Sequence, residues 1–303
     1  MIGLWQADGK MPNLALMKLS AKLKQGGHIT NLQRTPDETT CYGSVIFSKN
    51  RRQAEFWSLA YPRIQMGGSG WDLKVRLPRF IEVLKPDYEL YGIDYGLGFL
   101  SRGCIRKCPF CIVPEKEGRL RQVADIDDLL NPLSNFLVLL DNNLLALHNI
   151  LAILSEIADR RLVVNFTQGL DIRLVTPMIA SALAKVNYSD FTRHNRTLHF
   201  AFDDIKLEKS VRQGIEILLE AGIPAAHLCF YILAGFGDQT TEDVLYRCNV
   251  LREYGVRPYI MRYRKSHELN AIARWANAPA GLWRKPFSEY QLWSSQNGKS
   301  NHA

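Results

Sequence analysis

Short apolar runs that recur about every thirty residues constrain this chain more than any other feature. "YELYGI" (88–93), "FLVLL" (136–140), "LVVNFT" (162–167), "LHFAF" (198–202), "LCFYIL" (228–233) and "RPYIM" (257–261) read as strands. After the first, they start at residues 136, 162, 198, 228 and 257, so consecutive starts lie 26 to 36 residues apart. A strand plus a crossover helix needs that interval before the next strand can lie parallel to it.

The intervening segments read as those helices. "LLALHNILAILSEIADR" (144–160) carries apolar residues at helical spacing, and "TPMIASALAKV" (176–186) opens on a threonine cap with proline in its first turn. "KLEKSVRQGIEILLEAGIP" (206–224) stops at Gly then Pro, and "TTEDVLYRCNVLREYGV" (240–256) has a threonine cap, an acidic first turn and Gly255 at its end. Six such units predict an α/β fold, a partial (β/α)6 barrel of the TIM type, with a doubly wound open sheet as its rival.

A smaller pattern precedes it. "IGLW" (2–5) reads as a strand, "PNLALMKLSAKLKQGG" (12–27) as a helix, "YGSVIFS" (42–48) as a strand, and "PRIQMGGSG" (62–70) as a strand running into a glycine loop. These predict a small Rossmann-like α/β module. The expected division is therefore 1–86 for this module, 87–266 for the barrel, and 267–303 for a C-terminal helix and a tail whose last eight or nine residues are disordered.

With 47% hydrophobic and 22% charged residues, the chain has the apolar surface for a sizeable core. No run of about 18 apolar residues occurs, and "MIGLWQADGKMPNL" lacks the features of a signal peptide, so a cytoplasmic protein without a membrane span is expected. The net charge of +8 suits a nucleic acid, nucleotide or other polyanionic partner, and equally an ordinary basic surface. Lys74, Arg76, Arg79, Arg119, Arg121, Arg257, Arg262, Arg264 and Lys265 are spread along the chain, and no compact polybasic run or RNA-binding motif is visible.

Six cysteines are too few for a disulfide scaffold, and three of them crowd into "SRGCIRKCPFCIVPEKEG" (101–118). A structural zinc site uses four ligands, usually as two separated pairs. Cys41, Cys229 and Cys248 are the candidates for a fourth, although Cys229 falls in an apolar strand and Cys248 in a helix, where cysteine packs as a small hydrophobe. Three thiolates on a four-iron cluster leave one iron open to another molecule.

Cys104-x-x-x-Cys108-x-x-Cys111, with Phe110 before the last cysteine, resembles the signature of the radical S-adenosylmethionine (radical SAM) superfamily. "GFLSRGC" (98–104), "QGLDIRLVTPMIASALAKV" (168–186) and "YILAGFGDQTTEDV" (231–244) extend the resemblance over roughly residues 88–265, to the branch with an N-terminal cobalamin-binding-like (B12-binding-like) domain. The resemblance implies a [4Fe–4S] cluster on the three cysteines, SAM chelating the fourth iron, and an electron from a flavodoxin- or ferredoxin-type reductant. Cleavage of SAM then yields a 5′-deoxyadenosyl radical that abstracts hydrogen from a substrate.

The cobalamin motif Asp-x-His-x-x-Gly is replaced by "DGKMPN" (8–13), with Lys10 for the histidine and Asn13 for the glycine; "GGSG" (67–70) still offers bare backbone to a corrin or phosphate. Extra cluster-binding cysteines typical of methylthiotransferases are absent, with only Cys41 in the N-terminal region. The expected outcome is radical methylation or rearrangement of an anionic or nucleic-acid-related substrate. The alternatives are a cobalamin-dependent radical SAM methyltransferase of a small molecule and a non-enzymatic metal-bound nucleic-acid-binding module.

Active sites of β/α barrels lie beyond the C-terminal ends of the strands. There the sequence places Asp141, Asn142 and Asn143, then Gln168, Asp171 and Arg173, then Asp203 and Asp204, then Gly235 and Gly237, then Arg262 and Arg264. By the resemblance, Asp141, Asn142 and Asn143 stand where the SAM amino group is bound, without the usual Gly-Gly-Glu. Likewise Asp203 faces the ribose, and Gly235 and Phe110 the adenine. Arg173 and Arg262 are candidates for the SAM carboxylate or a substrate phosphate. Helix capping by Asn143, and ion pairs between these arginines and Asp171, Asp203 or Asp204, are the structural alternatives. Tyr231, Tyr259 and Tyr263 read as core or rim, and His148, His194, His199, His227 and His267 as structural.

Overall fold

The computed structural model describes residues 1–9 and 11–290. The chain divides into two compact units, Met1–Asn142 and Asn143–Ala303.

The first unit begins with β1 (Ile2–Gln6), α1 (Leu14–Gln25), β2 (Thr30–Gln33), β3 (Thr40–Ser44), α2 (Arg51–Ala60) and β4 (Gln65–Gly67). All pairings are parallel, in the order β2-β1-β3-β4, with β1 between β2 and β3. α1 forms because "LALMKLSAKLKQ" has no β-branched residue and Asn13 accepts the Leu16 N–H at 3.2 Å. It turns Leu14, Leu16 and Met17 inward, and Gly27 at φ +78° follows its end. Trp5, Val45 and Ala54 form a buried cluster against which Ala7, Trp57, Met66 and Trp71 pack. The expected strand at 42–48 starts two residues earlier and ends at Ser44, because Val45 to Phe47 turn away to begin the next loop. β2 and α2 were not foreseen: "TNLQ" has a single large apolar residue, and α2 buries only Ala54.

The unit continues through α3 (Arg79–Glu82), β5 (Gly96–Gly98), β6 (Ser101–Arg102), α4 (Val113–Lys116), β7 (Arg121–Gln122), α5 (Ile126–Leu129) and β8 (Phe136–Leu139). "YELYGI" is not a strand. Tyr88–Leu90 makes a 3-10 turn, Gly92 sits at φ +60°, and the buried Tyr88 hydroxyl donates to the Leu129 carbonyl at 2.5 Å. The strand that pairs in parallel with β8 is instead β5. Close approach explains its composition, since a Cβ on Gly96 would lie 2.4 Å from the Leu129 carbonyl oxygen. β6 and β7 pair antiparallel.

The second unit contains α6 (Ile150–Asp159), β9 (Val163–Phe166), α7 (Pro177–Lys185), β10 (Asn187–Tyr188), β11 (Leu198–Ala201), α8 (Glu208–Glu220), β12 (Leu228–Ala234), α9 (Thr241–Glu253), β13 (Arg257–Arg262) and α10 (His267–Asn277). β9 pairs in parallel with β10, and β12 with both β11 and β13. The expected strands from 162 to 261 and their helices are present. One helix starts late: Leu144–Ala146 is a 3-10 turn, and α6 begins only at Ile150.

Side chains alternate across β11, β12 and β13. Phe200, Phe230, Phe202, Ile232 and Ile260 are buried on one face, while His199, Tyr231 and Tyr259 occupy the other, half-open face. The protein is thus α/β with parallel sheets. Among the described residues no helix is long and apolar enough to cross a membrane. The expectation for the last eight or nine residues lies outside the described residues.

Candidate functional site

The three clustered cysteines sit on a loop whose ends are tied together. The β6–β7 ribbon closes its base, and within it the Cys104 N–H donates to the Gly118 carbonyl at 3.3 Å. Gly103, at φ +85°, permits this approach: a Cβ there would stand 2.4 Å from the Arg119 carbonyl oxygen. Arg102 lies beneath, paired with Glu82 and with Glu117 (3.1 Å), its guanidinium 4.1 Å from the Phe99 ring centroid.

None of the six cysteines is in a disulfide; Cys104 and Cys108 are half-buried and Cys111 is exposed. Backbone amides point at two of the sulfurs, Arg106 N–H at Cys104 Sγ (3.3 Å) and Val113 N–H at Cys111 Sγ (3.5 Å). The Cys111 N–H donates to the Cys108 carbonyl at 3.0 Å, curling the intervening Pro109–Phe110 into a turn. Phe110 lies half-buried in this loop.

Asp141 and Asn142, directly after β8, hold the approach to the loop. The Asp141 carboxylate, 5% exposed, accepts the Leu100 N–H (3.2 Å), the Ser101 N–H (2.5 Å) and the Ser101 hydroxyl (2.6 Å). Burial raises its pKa to about 6 against the pull of these donors. Asn142 Oδ1 accepts the Gly103 N–H at 3.2 Å.

In the second unit, Asn143 does not cap a helix through its side chain; its amide donates to Asp171 Oδ2 at 3.3 Å. Asp171 also accepts a forked ion pair from Arg173, Nε to Oδ1 at 2.6 Å and Nη2 to Oδ2 at 3.0 Å. Gln168 is exposed beside Gly169, which takes φ +88°. Asp203 is half-buried and accepts the Leu233 N–H at 2.9 Å; burial raises its pKa, while Arg247 and Arg173 oppose the rise. Asp204 accepts the Lys206 N–H at 3.0 Å. The carbonyls of Gly235 and Gly237 accept from Arg264 at 2.7 and 2.6 Å, and Arg262 donates to Asn270 Oδ1.

Two features of this unit were missed by sequence reasoning. Arg247 on α9 is 1% exposed and donates to the carbonyls of Phe202 (2.8 Å), Leu233 (3.1 Å) and Asp243 (3.1 Å), so it locks the ends of β11 and β12 together. The signal was its position, three residues after buried Val244 and four before buried Leu251, on the apolar stripe of the helix. The second is an aromatic cluster. His199 stacks on Tyr231 with ring centroids 5.0 Å apart and planes 5° apart, and Tyr231 meets Tyr259 edge-on at 5.8 Å. His199 Nδ1 is buried and bonds to none of the described residues, and burial lowers the pKa of the ring to about 4.

At the other expected cofactor position, Asp8 accepts the backbone N–H groups of Ile46 and Phe47 (3.0 Å) and the Asn50 amide (2.8 Å), fixing the loop after β3. Asn13 caps α1 and donates to Ser44 at 2.8 Å. Lys10 lies outside the described residues.

The cysteine loop fits an iron–sulfur cluster in donor chemistry: three soft sulfur ligands are outside any disulfide, solvent can reach them, and backbone N–H groups point at the sulfurs of Cys104 and Cys111. Their sulfurs are not drawn around a common point, since among the described residues no group of three or more His, Cys, Asp or Glu side chains is placed to hold a metal ion. No family model matches the chain, and no curated protein matches it.

Proposed function

We propose that this protein is a radical SAM enzyme, with Cys104, Cys108 and Cys111 holding a [4Fe–4S] cluster. The observation that carries the reading is the closed loop 103–118, which offers three cysteines outside any disulfide, with backbone amides directed at the sulfurs of Cys104 and Cys111. When bound, the cluster supplies the single electron for reductive cleavage of SAM.

The chain's own residues set up that loop. Asp141 and Asn142 anchor its first strand through Leu100, Ser101 and Gly103, and Arg102 neutralises Glu82 and Glu117 at its base. Cys104, Cys108 and Cys111 would hold the cluster, and their sulfurs would have to draw together around it. The finer reading is a partial (β/α)6 barrel preceded by a B12-binding-like module, with Phe110, Asn142, Asn143, Gln168, Asp171, Arg173, Asp203, Gly235 and Arg262 serving SAM. Asp141 then acts as a positioning residue, because three donors already occupy its carboxylate. The basic balance supports an anionic or nucleic-acid-related substrate undergoing methylation or rearrangement. A flavodoxin- or ferredoxin-type protein is the proposed reductant.

Anaerobic reconstitution with iron and sulfide tests the reading. About four irons per chain and 5′-deoxyadenosine on reduction with SAM are expected, both lost in a triple variant with alanine at 104, 108 and 111. Stoichiometric zinc after aerobic purification with no SAM cleavage, or a triple variant that still cleaves SAM, overturns it.

A further inference from the structure

A short basic stretch, Lys49, Arg51 and Arg52, lies beside aromatic rings beyond the C-terminal edge of the first unit's sheet. β1 is flanked by β2 on one side and β3 on the other, so the chain reverses direction across the sheet between them, the place where open α/β sheets bind ligands. The loop after β4 packs onto the loop after β3. Gly70 N–H donates to the Val45 carbonyl at 2.9 Å, and a Cβ on Gly70 would stand 2.6 Å from the Phe47 carbonyl carbon.

That contact sets the loop after β4 against the loop after β3, which leads into the start of α2 and carries Lys49, Arg51 and Arg52. Two carboxylates accompany them: Glu55, paired with Arg51 at 3.0 Å, and Asp8, which accepts the Ile46 and Phe47 N–H groups. Phe47 (58%) on the loop after β3 and Phe56 (61%) on α2 are exposed. Cations lie beside the rings: Lys49 Nζ is 5.6 Å from the Phe47 centroid, and the Arg51 guanidinium is 5.6 Å from that of Trp71. Phe56 packs edge-on to Trp57, which stacks on Tyr61.

We infer that this surface binds single-stranded nucleic acid, the exposed rings stacking on bases and the neighbouring cations meeting phosphates. Arrangement on α2 distinguishes this from a lipid surface. Arg52, Phe56 and Leu59 stand at i, i+4 and i+7, so cation and apolar groups share one helix stripe, whereas a membrane-lying helix separates them onto opposite faces. Exposed flat rings also favour unstacked bases over a duplex, whose bases present no free faces.

The inference stands apart from the radical reading, because binding at this surface requires neither cluster nor SAM. Fluorescence anisotropy of a labelled, mixed-sequence single-stranded RNA tests it on the full chain as purified and on the triple cysteine variant, with equal affinity expected. Three phosphate contacts, from Lys49, Arg51 and Arg52, predict a slope of log affinity against log salt of about −2. Phe56→Ala weakens binding about tenfold without changing that slope, and a double Arg51→Gln/Arg52→Gln variant makes it shallower by about 1.4. Circular dichroism checks that both variants keep the fold. Absence of binding, equal binding of heparin or duplex with indifference to Phe56→Ala, or preference for phosphatidylglycerol vesicles overturns the proposal.

Discussion

Asp141→Asn tests how the cysteine loop is held, because two opposing effects meet on one carboxylate. The group is 5% exposed, which penalises its charge, and it accepts two backbone N–H groups and a hydroxyl, which favour that charge. Burial prevails and lifts the pKa from 3.8 to about 6. A native pKa above the unfolded one means that the folded chain binds the proton more tightly. The resulting stability is fully present below about pH 3.8 and is lost as pH rises through about 6.

A shift of about two units corresponds to about 3 kcal/mol. Other groups titrate in the same window, so the informative quantity is the difference between wild type and variant, whose asparagine does not titrate. Urea unfolding at a series of pH values from 4 to 7 should show the wild type losing about 3 kcal/mol relative to Asp141→Asn across that range. Exchange of the Leu100 and Ser101 amides, followed alongside, reports whether the change arises at the loop. A difference that instead grows in the wild type's favour with rising pH would refute the reasoning, because the hydrogen bonds would then outweigh burial.

Arg247→Met should destabilise the protein by about 2–4 kcal/mol in denaturant titration, since it leaves the Phe202 and Leu233 carbonyls without this donor; an unchanged midpoint would remove its structural role. His199→Phe retains the stack on Tyr231 and removes the titration. Burial holds the His199 pKa near 4, below its ordinary 6.5, so its contribution to stability is present above pH 6.5 and lost as pH falls through 4. The wild type should therefore lose about 3 kcal/mol relative to the variant over that interval, and a flat difference in unfolding free energy would contradict the burial argument.

The second unit was the more legible because its elements are marked twice, by apolar runs and by caps. Thr176 and Thr240 cap α7 and α9 as their spacing foretold, and Gly222 and Gly255 at positive φ follow α8 and α9. The first unit hides its elements. β5 is a glycine-rich strand with one large side chain, so hydrophobicity pointed to "YELYGI", whose Tyr88 buries its ring from a turn rather than a strand. α2 buries a single alanine, leaving no periodic apolar signal, and its exposed Phe56 and Leu59 disguise which face is turned inward.

Polar residues at strand ends were legible as a set, but their use depends on the path of the loops. A carboxylate beyond a strand meets whichever donors come nearest, and in a compact unit these are often the chain's own amides. Asp141 is claimed by Leu100 and Ser101, Asp171 by Arg173 and Asn143, and Arg264 by two glycine carbonyls, so each first builds the loops that would present a cosubstrate. Gln168, exposed beside a glycine at positive φ, has no such internal bond among those described and is the clearer candidate for a direct contact. Substitutions at the first three should therefore move stability and activity together, whereas Gln168→Ala, if the residue meets SAM, should raise its KM with the unfolding midpoint unchanged.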